Sequence, residues 1–139
     1  MKELSIEEKK LLFKDLCVRL PYGVKCTTKS MWNGIYTIVG YKDNRFFLDC
    51  PIYEEGDDEW MIESIVPYLR PMSSMTEEEV KELLNIDSER FIFSSRHLTW
   101  YLDGEVVYYL NSHHFDYRGL IYKGLALEAP EGMYNINNE

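Results

Sequence analysis

The first twenty residues carry apolar side chains at helical spacing. Ser5 and Glu8 form the Ser-x-x-Glu pattern of a capping box, which satisfies free backbone N–H groups at the start of a helix. Pro21 and Gly23, which follow the last apolar position, are typical of a helix end. The sequence therefore predicts a helix from about residue 5 to residue 20. Its predicted apolar face consists of Ile6, Leu12, Phe13, Leu16, Cys17 and Leu20.

From residue 24 to residue 69 the pattern changes to that of short strands. Residues 24–28 alternate in polarity, and residues 34–41 are rich in β-branched and aromatic side chains. Residues 45–50 follow after Lys-Asp-Asn at 42–44, which is a hairpin signal. A further strand is predicted near residues 60–62, and Pro67 argues against a central strand position for the segment around it. These elements predict a small antiparallel sheet, either curled or closed as an SH3-like barrel.

The second half of the chain favours helices. Thr76 and Glu79 repeat the capping box. Segments 91–93 and 98–101 look strand-like, and Asp103-Gly104 could close a hairpin or cap a helix, so the choice between hairpin and helix over 88–111 stays open, with helix preferred for 105–111. We expect a short helix near 119–124 and a loosely held tail from 130 to 139.

These elements predict an α+β fold in one domain spanning residues 1–139. Residues 1–72 are expected to form the N-terminal helix and the small sheet, and residues 73–139 a mainly helical C-terminal unit. A length of 139 residues suits a single domain with one principal core.

Charge narrows the classes of partner. The chain has 24 acidic and 15 basic residues, a net charge of −9, so its bulk is repelled by phosphate and nucleic acid is disfavoured. Residues 1–30 hold 7 basic and 4 acidic groups, whereas residues 31–90 hold 5 basic and 14 acidic groups. The first helix is therefore locally basic, and the acidic excess lies in the middle of the chain.

The sequence predicts a cytoplasmic protein that does not associate with membranes. The first ten residues are charged rather than apolar, and the chain contains no apolar run close to the roughly 20 residues of a membrane span.

The three cysteines, Cys17, Cys26 and Cys50, match neither a disulfide framework nor a zinc motif. The acidic run at 54–59 lacks the ligand spacing of an EF-hand, so a solvated loop is preferred there. We expect no metal and no cofactor.

One polar segment is the best candidate for a binding site. Adjacent imidazoles, a carboxylate and a guanidinium could supply a base, a ligand and an anion clamp. Neighbouring residues point in different directions on a helix and on a strand, however, so the two histidines do not converge on one metal. A structural role is preferred, with Asp116 capping the following segment or pairing with Arg118. The candidate binding residues are His113, His114, Asp116, Tyr117 and Arg118.

The aromatic content points to protein partners. Eleven Tyr, six Phe and three Trp exceed what a small core needs, and Tyr and Trp are enriched at protein interfaces. A stacking platform for nucleic acid would need cations beside the rings. The aromatic C-terminal region has only Arg96, Arg118 and Lys123. Protein is therefore the expected partner, and the oligomeric state stays open.

Three blocks of sequence resemble a known family. They are LPYGV at 20–24, PYLRPMSSMTEEE at 67–79 and HFDYRGLIYKGLA at 114–126, in this order. The blocks resemble a family of small uncharacterised proteins from gut Bacteroidales and their phages and prophages. This resemblance implies an intracellular accessory protein of phage or prophage origin, and it assigns no functional residue.

The sequence thus supports three hypotheses. The leading one is a non-enzymatic protein-interaction module, because no catalytic motif is recognised. The second is an acidic inhibitor that imitates nucleic acid and occupies a basic host protein. The third is a hydrolase centred on His113, His114, Asp116 and Arg118.

Overall fold

A computed structural model describes residues 4–29, 34–49, 59–86, 92–93, 98–99 and 104–134. Three α-helices and eight strands are assigned in these ranges. The helices are α1 (Ile6–Arg19), α2 (Glu77–Ile86) and α3 (Gly104–Ser112). The strands are β1 (Lys25–Thr28), β2 (Tyr36–Lys42), β3 (Arg45–Leu48), β4 (Glu59–Trp60), β5 (Ile65–Leu69), β6 (Ile92–Phe93), β7 (Leu98–Thr99) and β8 (Leu127–Glu128).

The predicted N-terminal helix is confirmed, together with its capping box. The backbone N–H of Glu8 donates to the Ser5 hydroxyl at 3.1 Å, and the backbone N–H of Ser5 donates to the Glu8 carboxylate at 2.9 Å. Two free donors of the first turn are satisfied in this way. A short 3₁₀ turn over Leu20–Tyr22 follows, and Gly23 then takes a left-handed conformation with φ 69°.

Six strands form one mixed sheet in the order β4-β3-β2-β1-β5-β8, with β5 and β8 parallel and the other pairs antiparallel. The predicted hairpin at 42–44 joins β2 and β3. Asp43 and Asn44 adopt φ 53° and 66°, the positive values that a tight two-residue hairpin turn requires. A register irregularity between Ile38 and Gly40 bends β2.

The principal core lies between α1 and one face of this sheet. Leu12 and Leu16 of α1 are fully buried there. Alternate strand residues point to this face, as expected for a sheet with one covered side. Residues from the C-terminal region complete the core, and its buried members include Tyr36, Ile38, Phe46, Leu48, Ile65, Leu69, Leu120, Leu125 and Ala126.

The barrel expectation is not confirmed, because the sheet is open in the part of the chain that the structure describes. Its two ends are β4 and β8, and no pairing joins these strands there. The expectation that Pro67 excludes an inner strand is wrong, since β5 lies between β1 and β8. Pro67 is tolerated because β8 pairs only with Tyr68 and Leu69, so β5 pairs on one side at the proline.

The second half supplies a smaller core beside α2 and α3. The Thr76 capping box is present, with Glu79 N–H donating to the Thr76 hydroxyl at 3.1 Å. The preferred helix at 105–111 is confirmed as α3, and β6 pairs with β7. The buried side chains of this core are Leu83, Val106, Tyr109, Leu110 and Phe115.

Two predictions for the C-terminal region need correction. Residues 119–124 form turns rather than a helix, and Gly119 and Gly124 have φ of 74° and 77°, which do not fit a right-handed helix. The expectation of a loosely held tail from residue 130 needs correction at Tyr134, which is buried, whereas residues 130–132 are exposed. Residues 135–139 and the acidic residues 54–58 lie outside the described ranges. Among the described helices, none combines the length and apolar character needed to cross a membrane.

Candidate functional site

The two histidines after α3 face different partners. His113 stacks on the Tyr109 ring with centroids 4.0 Å apart, and its Nδ1 lies 3.0 Å from the Tyr109 carbonyl oxygen. His114 takes a left-handed backbone conformation, φ 66°, and its buried ring stacks on Tyr134 at 3.6 Å. The imidazoles therefore form no common site.

Asp116 organises the turn that follows it. Its carboxylate accepts hydrogen bonds from the backbone N–H groups of Leu120 at 2.8 Å and Ile121 at 2.9 Å. The capping role expected for Asp116 is thus found, although it serves a turn rather than a helix. Arg118 pairs elsewhere, because its Nε lies 3.2 Å from Oδ1 of Asp15.

Tyr117 is fixed by neighbours on both sides. Its hydroxyl donates to the side-chain oxygen of Asn111 at 2.8 Å, and the guanidinium of Arg118 lies over its ring at 5.1 Å. Apart from the contact between Tyr117 and Arg118, the five candidate binding residues have separate partners, and they do not converge on one cleft. This arrangement gives no geometric support to the hydrolase hypothesis.

We expect Asp116→Ala to lower the free energy of unfolding by about 2 kcal/mol, because the buried N–H of Leu120 loses its acceptor. Chemical denaturation measures this change. Asp116→Asn keeps one side-chain oxygen and should recover part of the loss, and Glu128→Ala, at an exposed carboxylate, should have little effect. A loss as small for Asp116→Ala as for Glu128→Ala would contradict the capping role.

A buried ion pair inside α1 was not predicted. Arg19 and Asp15 are both fully buried, and Arg19 Nε donates to the Asp15 carboxylate at 2.7 Å. Arg19 Nη2 also donates to the carbonyl oxygen of Phe115 at 2.7 Å, which ties α1 to the segment after α3. The sequence does contain a signal for this pair, because Asp15 and Arg19 are four residues apart on the same helical face as Leu12 and Leu16.

A second buried pair joins β5 to α2. Arg70 makes a two-pronged contact with Glu79, at 2.8 Å and 2.7 Å, and its guanidinium lies over the ring of Phe115 at 4.1 Å. The main chain of Arg70 bonds to both sides of Phe115, through the carbonyl of His114 and the N–H of Asp116. Charged groups therefore align β5, α2 and the segment after α3.

The described cysteines are protected thiols. Burial raises the pKa of Cys26 to about 12, and it also raises the pKa of Cys17. Neither group is a thiolate at neutral pH, so neither is an activated nucleophile. Cys50 lies outside the described ranges.

An aromatic groove of about 370 Å³ lies between α1 and the β2-β3 hairpin. Its floor is a cluster of rings, in which Phe13 meets Tyr41 edge to face at 5.1 Å and Tyr41 lies 4.9 Å from Phe46. At one wall, the Lys9 ammonium pairs with Glu63 at 3.1 Å. The residues that line the aromatic groove are Lys9, Lys10, Phe13, Tyr41, Asn44, Phe46, Met61, Ile62 and Glu63.

The groove is apolar enough to attract a partner. Phe13 is 37% exposed and Met61 is 44% exposed, although both are large hydrophobic side chains. Ile6, which precedes Phe13 by two helical turns on the same face of α1, is 72% exposed. Adjacent exposed apolar side chains of this kind are typical of interaction surfaces.

A polar cleft of about 560 Å³ lies on another part of the molecule. One wall is the segment from Arg70 to Thr76, and the other is formed by residues 128–132 and Tyr134. Within the described ranges, no three His, Cys, Asp or Glu side chains are grouped as a metal site. Comparisons with protein-family models, curated proteins and solved structures gave no match for this chain.

Proposed function

We propose that the protein is a non-enzymatic protein-interaction module that binds its partner in the aromatic groove. The observation that carries this proposal is the ring cluster of the exposed Phe13 and the half-buried Tyr41, bordered by the exposed Met61. A small set of packed aromatic and apolar side chains supplies most of the binding energy at many interfaces.

The charge of the groove indicates what the partner presents. Lys9, Lys10 and Glu63 are the charged residues that line it, so it is a local positive region on a chain of net charge −9. The complementary occupant is a protein segment with an aromatic or aliphatic side chain next to carboxylates. Nucleic acid fits less well, since the chain as a whole repels phosphate.

The cellular setting is part of the same proposal. The resemblance of three sequence blocks to proteins of gut Bacteroidales and their phages supports an intracellular accessory role. The nucleic-acid-mimic alternative rests on the acidic residues between 31 and 90. Of these acidic residues the aromatic groove contains Glu63, which pairs with Lys9, so the groove supports a protein segment with carboxylates better than a basic partner.

The test uses labelled synthetic peptides of twelve residues in which one Phe is flanked by Glu, and matched peptides with Lys in place of Glu. Fluorescence polarisation measures affinity, and NMR chemical shifts locate the bound peptide. We expect Phe13→Ala to weaken binding of the acidic peptide at least about tenfold, because it removes the central ring contact.

Lys10→Glu should also weaken the acidic peptide and improve the basic one, since it reverses the charge without changing the ring cluster. Tyr122→Ala is the matched aromatic control. Tyr122 is 95% exposed and does not line the groove, so its removal should leave affinity unchanged. Shifts that map away from the groove, or equal affinity for both peptides, would overturn the proposal.

A further inference from the structure

Residues 125–134 form a C-terminal strap across the end of the sheet. β8, within the strap, pairs with Tyr68 and Leu69 of β5, and the N–H of Ala129 donates to the carbonyl of Leu69 at 2.7 Å. The side chains of Leu127 and Glu128 are exposed, so the middle of the strap is held by its backbone. Its attachment therefore depends on the buried residues at its ends.

Tyr134 is the anchor at the far end of the strap. Its hydroxyl donates to the carbonyl of Tyr68 at 2.7 Å and accepts the backbone N–H of Lys25 at 2.8 Å. These two bonds connect the strap to β5 and β1 together. The ring is buried as well, so the anchor combines hydrogen bonds with apolar contact.

His114 provides the surface on which this anchor rests. The two rings are nearly parallel, with an angle of 13° and centroids 3.6 Å apart. His114 is 8% exposed, and its Nδ1 is buried with no hydrogen-bond partner in the described part of the chain. A proton added to this ring would thus be placed in a dry site that offers it no acceptor at Nδ1.

The charged groups around His114 are mostly cationic. Arg19 approaches from α1, Lys25 from β1 and Arg70 from the end of β5, and His113 is adjacent in sequence. The nearby carboxylates of Asp15 and Glu79 are engaged by Arg19 and Arg70. Burial, followed by these positive neighbours, lowers the pKa of His114 to about 3.

We propose that the strap is a latch that opens when His114 is protonated, and that its opening takes apart the polar cleft of about 560 Å³ that it helps to form. Residues 128–132 and Tyr134 form one wall of that cleft, so release of the strap removes the wall. Opening removes the Tyr134 ring from the face of the imidazolium and lets water reach it, while Arg19, Lys25 and Arg70 stay in place. The latch thus makes the presence of the cleft depend on pH.

The direction and size of the pH effect on strap opening follow from the linkage between proton binding and opening. In the open strap the His114 ring is hydrated, so its pKa rises from about 3 toward the ordinary value of about 6.5. Above that pH both states hold a neutral ring, and opening is independent of pH. Below it, the open state gains a proton that the closed state does not hold, so the opening constant rises about tenfold per pH unit.

Amide hydrogen exchange of the full chain tests the latch at pH 7.5, 6.0 and 4.5, after correction for intrinsic exchange rates. The Ala129 N–H reports strap opening, and the Ile38 N–H, which bonds to the carbonyl of Val24, reports the sheet. We expect opening at Ala129 to increase about 10- to 100-fold from pH 7.5 to 4.5, with a much smaller change at Ile38.

Three variants sharpen this test. His114→Asn should abolish the pH dependence, since Asn tolerates φ 66° and does not titrate. His113→Asn is the matched control and should retain it. Tyr134→Phe keeps the ring but loses both hydrogen bonds, so it should raise opening at every pH and keep the same slope.

Two outcomes would overturn the latch. One is an unchanged pH dependence in His114→Asn, and the other is a parallel loss of protection at Ile38, which would show global unfolding. NMR titration of the His114 ring in the unmodified chain provides a measurement that does not depend on a variant. A ring that is protonated at pH 6 while Ala129 stays protected would also disprove the proposal.

Discussion

Asp15→Ala is expected to lower the free energy of unfolding by about 3–5 kcal/mol, because it leaves the Arg19 guanidinium buried without its counter-ion. Both side chains are fully buried, so water does not replace the lost carboxylate. Arg118, which also approaches Asp15, loses its partner as well. Urea denaturation followed by circular dichroism would measure the change.

The exposed pair Lys9–Glu63 is the natural control for this experiment. Its side chains are 41% and 40% exposed, and Lys9→Ala should cost about 1 kcal/mol or less. The variant Asp15→Leu/Arg19→Met removes both buried charges and should recover much of the stability lost in Asp15→Ala. If Asp15→Ala and Lys9→Ala had similar effects, the buried pair would not have the importance assigned to it.

Glu79→Gln is expected to destabilise the protein by about 3 kcal/mol at neutral pH, since it removes the charge that faces the buried guanidinium of Arg70. Glutamine has nearly the same shape and can still complete the capping box with Thr76. The comparison of the wild-type protein with Glu79→Gln therefore measures the contribution of the negative charge to stability. Thermal denaturation of both proteins over a range of pH would measure it.

The stability difference between the wild-type protein and Glu79→Gln should depend on pH in a definite direction. Burial opposes ionisation of Glu79, but hydrogen bonds from Arg70 and Thr76 outweigh it, and the pKa is lowered from 4.5. The stability due to the ionised carboxylate is complete above the unfolded value and is lost as pH falls through the lower folded value. The difference in stability between the wild-type protein and Glu79→Gln should therefore become smaller below about pH 4.5. A gap independent of pH would argue against a charge effect.

Local sequence signals predicted the elements whose geometry is local. The capping boxes at Ser5 and Thr76 gave the starts of α1 and α2, and the residues at 42–44 gave the β2-β3 hairpin. These signals succeed because each depends on hydrogen bonds or φ preferences within a few residues.

The missed features depend on contacts between distant segments. β8 has only two residues and pairs with β5 from almost 60 positions away, so no periodicity reveals it. Arg19 lies in the last turn of α1, where a basic side chain ordinarily complements the helix dipole at the surface. Its buried position follows from the carbonyl of Phe115, which only the folded chain brings near.

The candidate site also shows the contrast between local signals, which the sequence displays, and contacts between distant segments, which it does not. The His113–Arg118 segment is conspicuous in sequence because its polar side chains are consecutive, yet the structure gives these residues separate partners. The aromatic groove draws its residues from α1, the β2-β3 hairpin and the turn after β4. Its members are individually ordinary, and only the strand register and the packing of α1 place their side chains side by side.

The bond between Arg19 and Phe115 also has a consequence for biosynthesis. Its two residues are 96 positions apart, and the donor is a charged group enclosed in the interior. A nascent chain that has not yet emerged from the ribosome as far as residue 115 has no acceptor for that donor. Long-range contacts of this kind slow folding, because a large loop must close before they form. We therefore expect the N-terminal helix to dock late, after synthesis of the segment that follows α3.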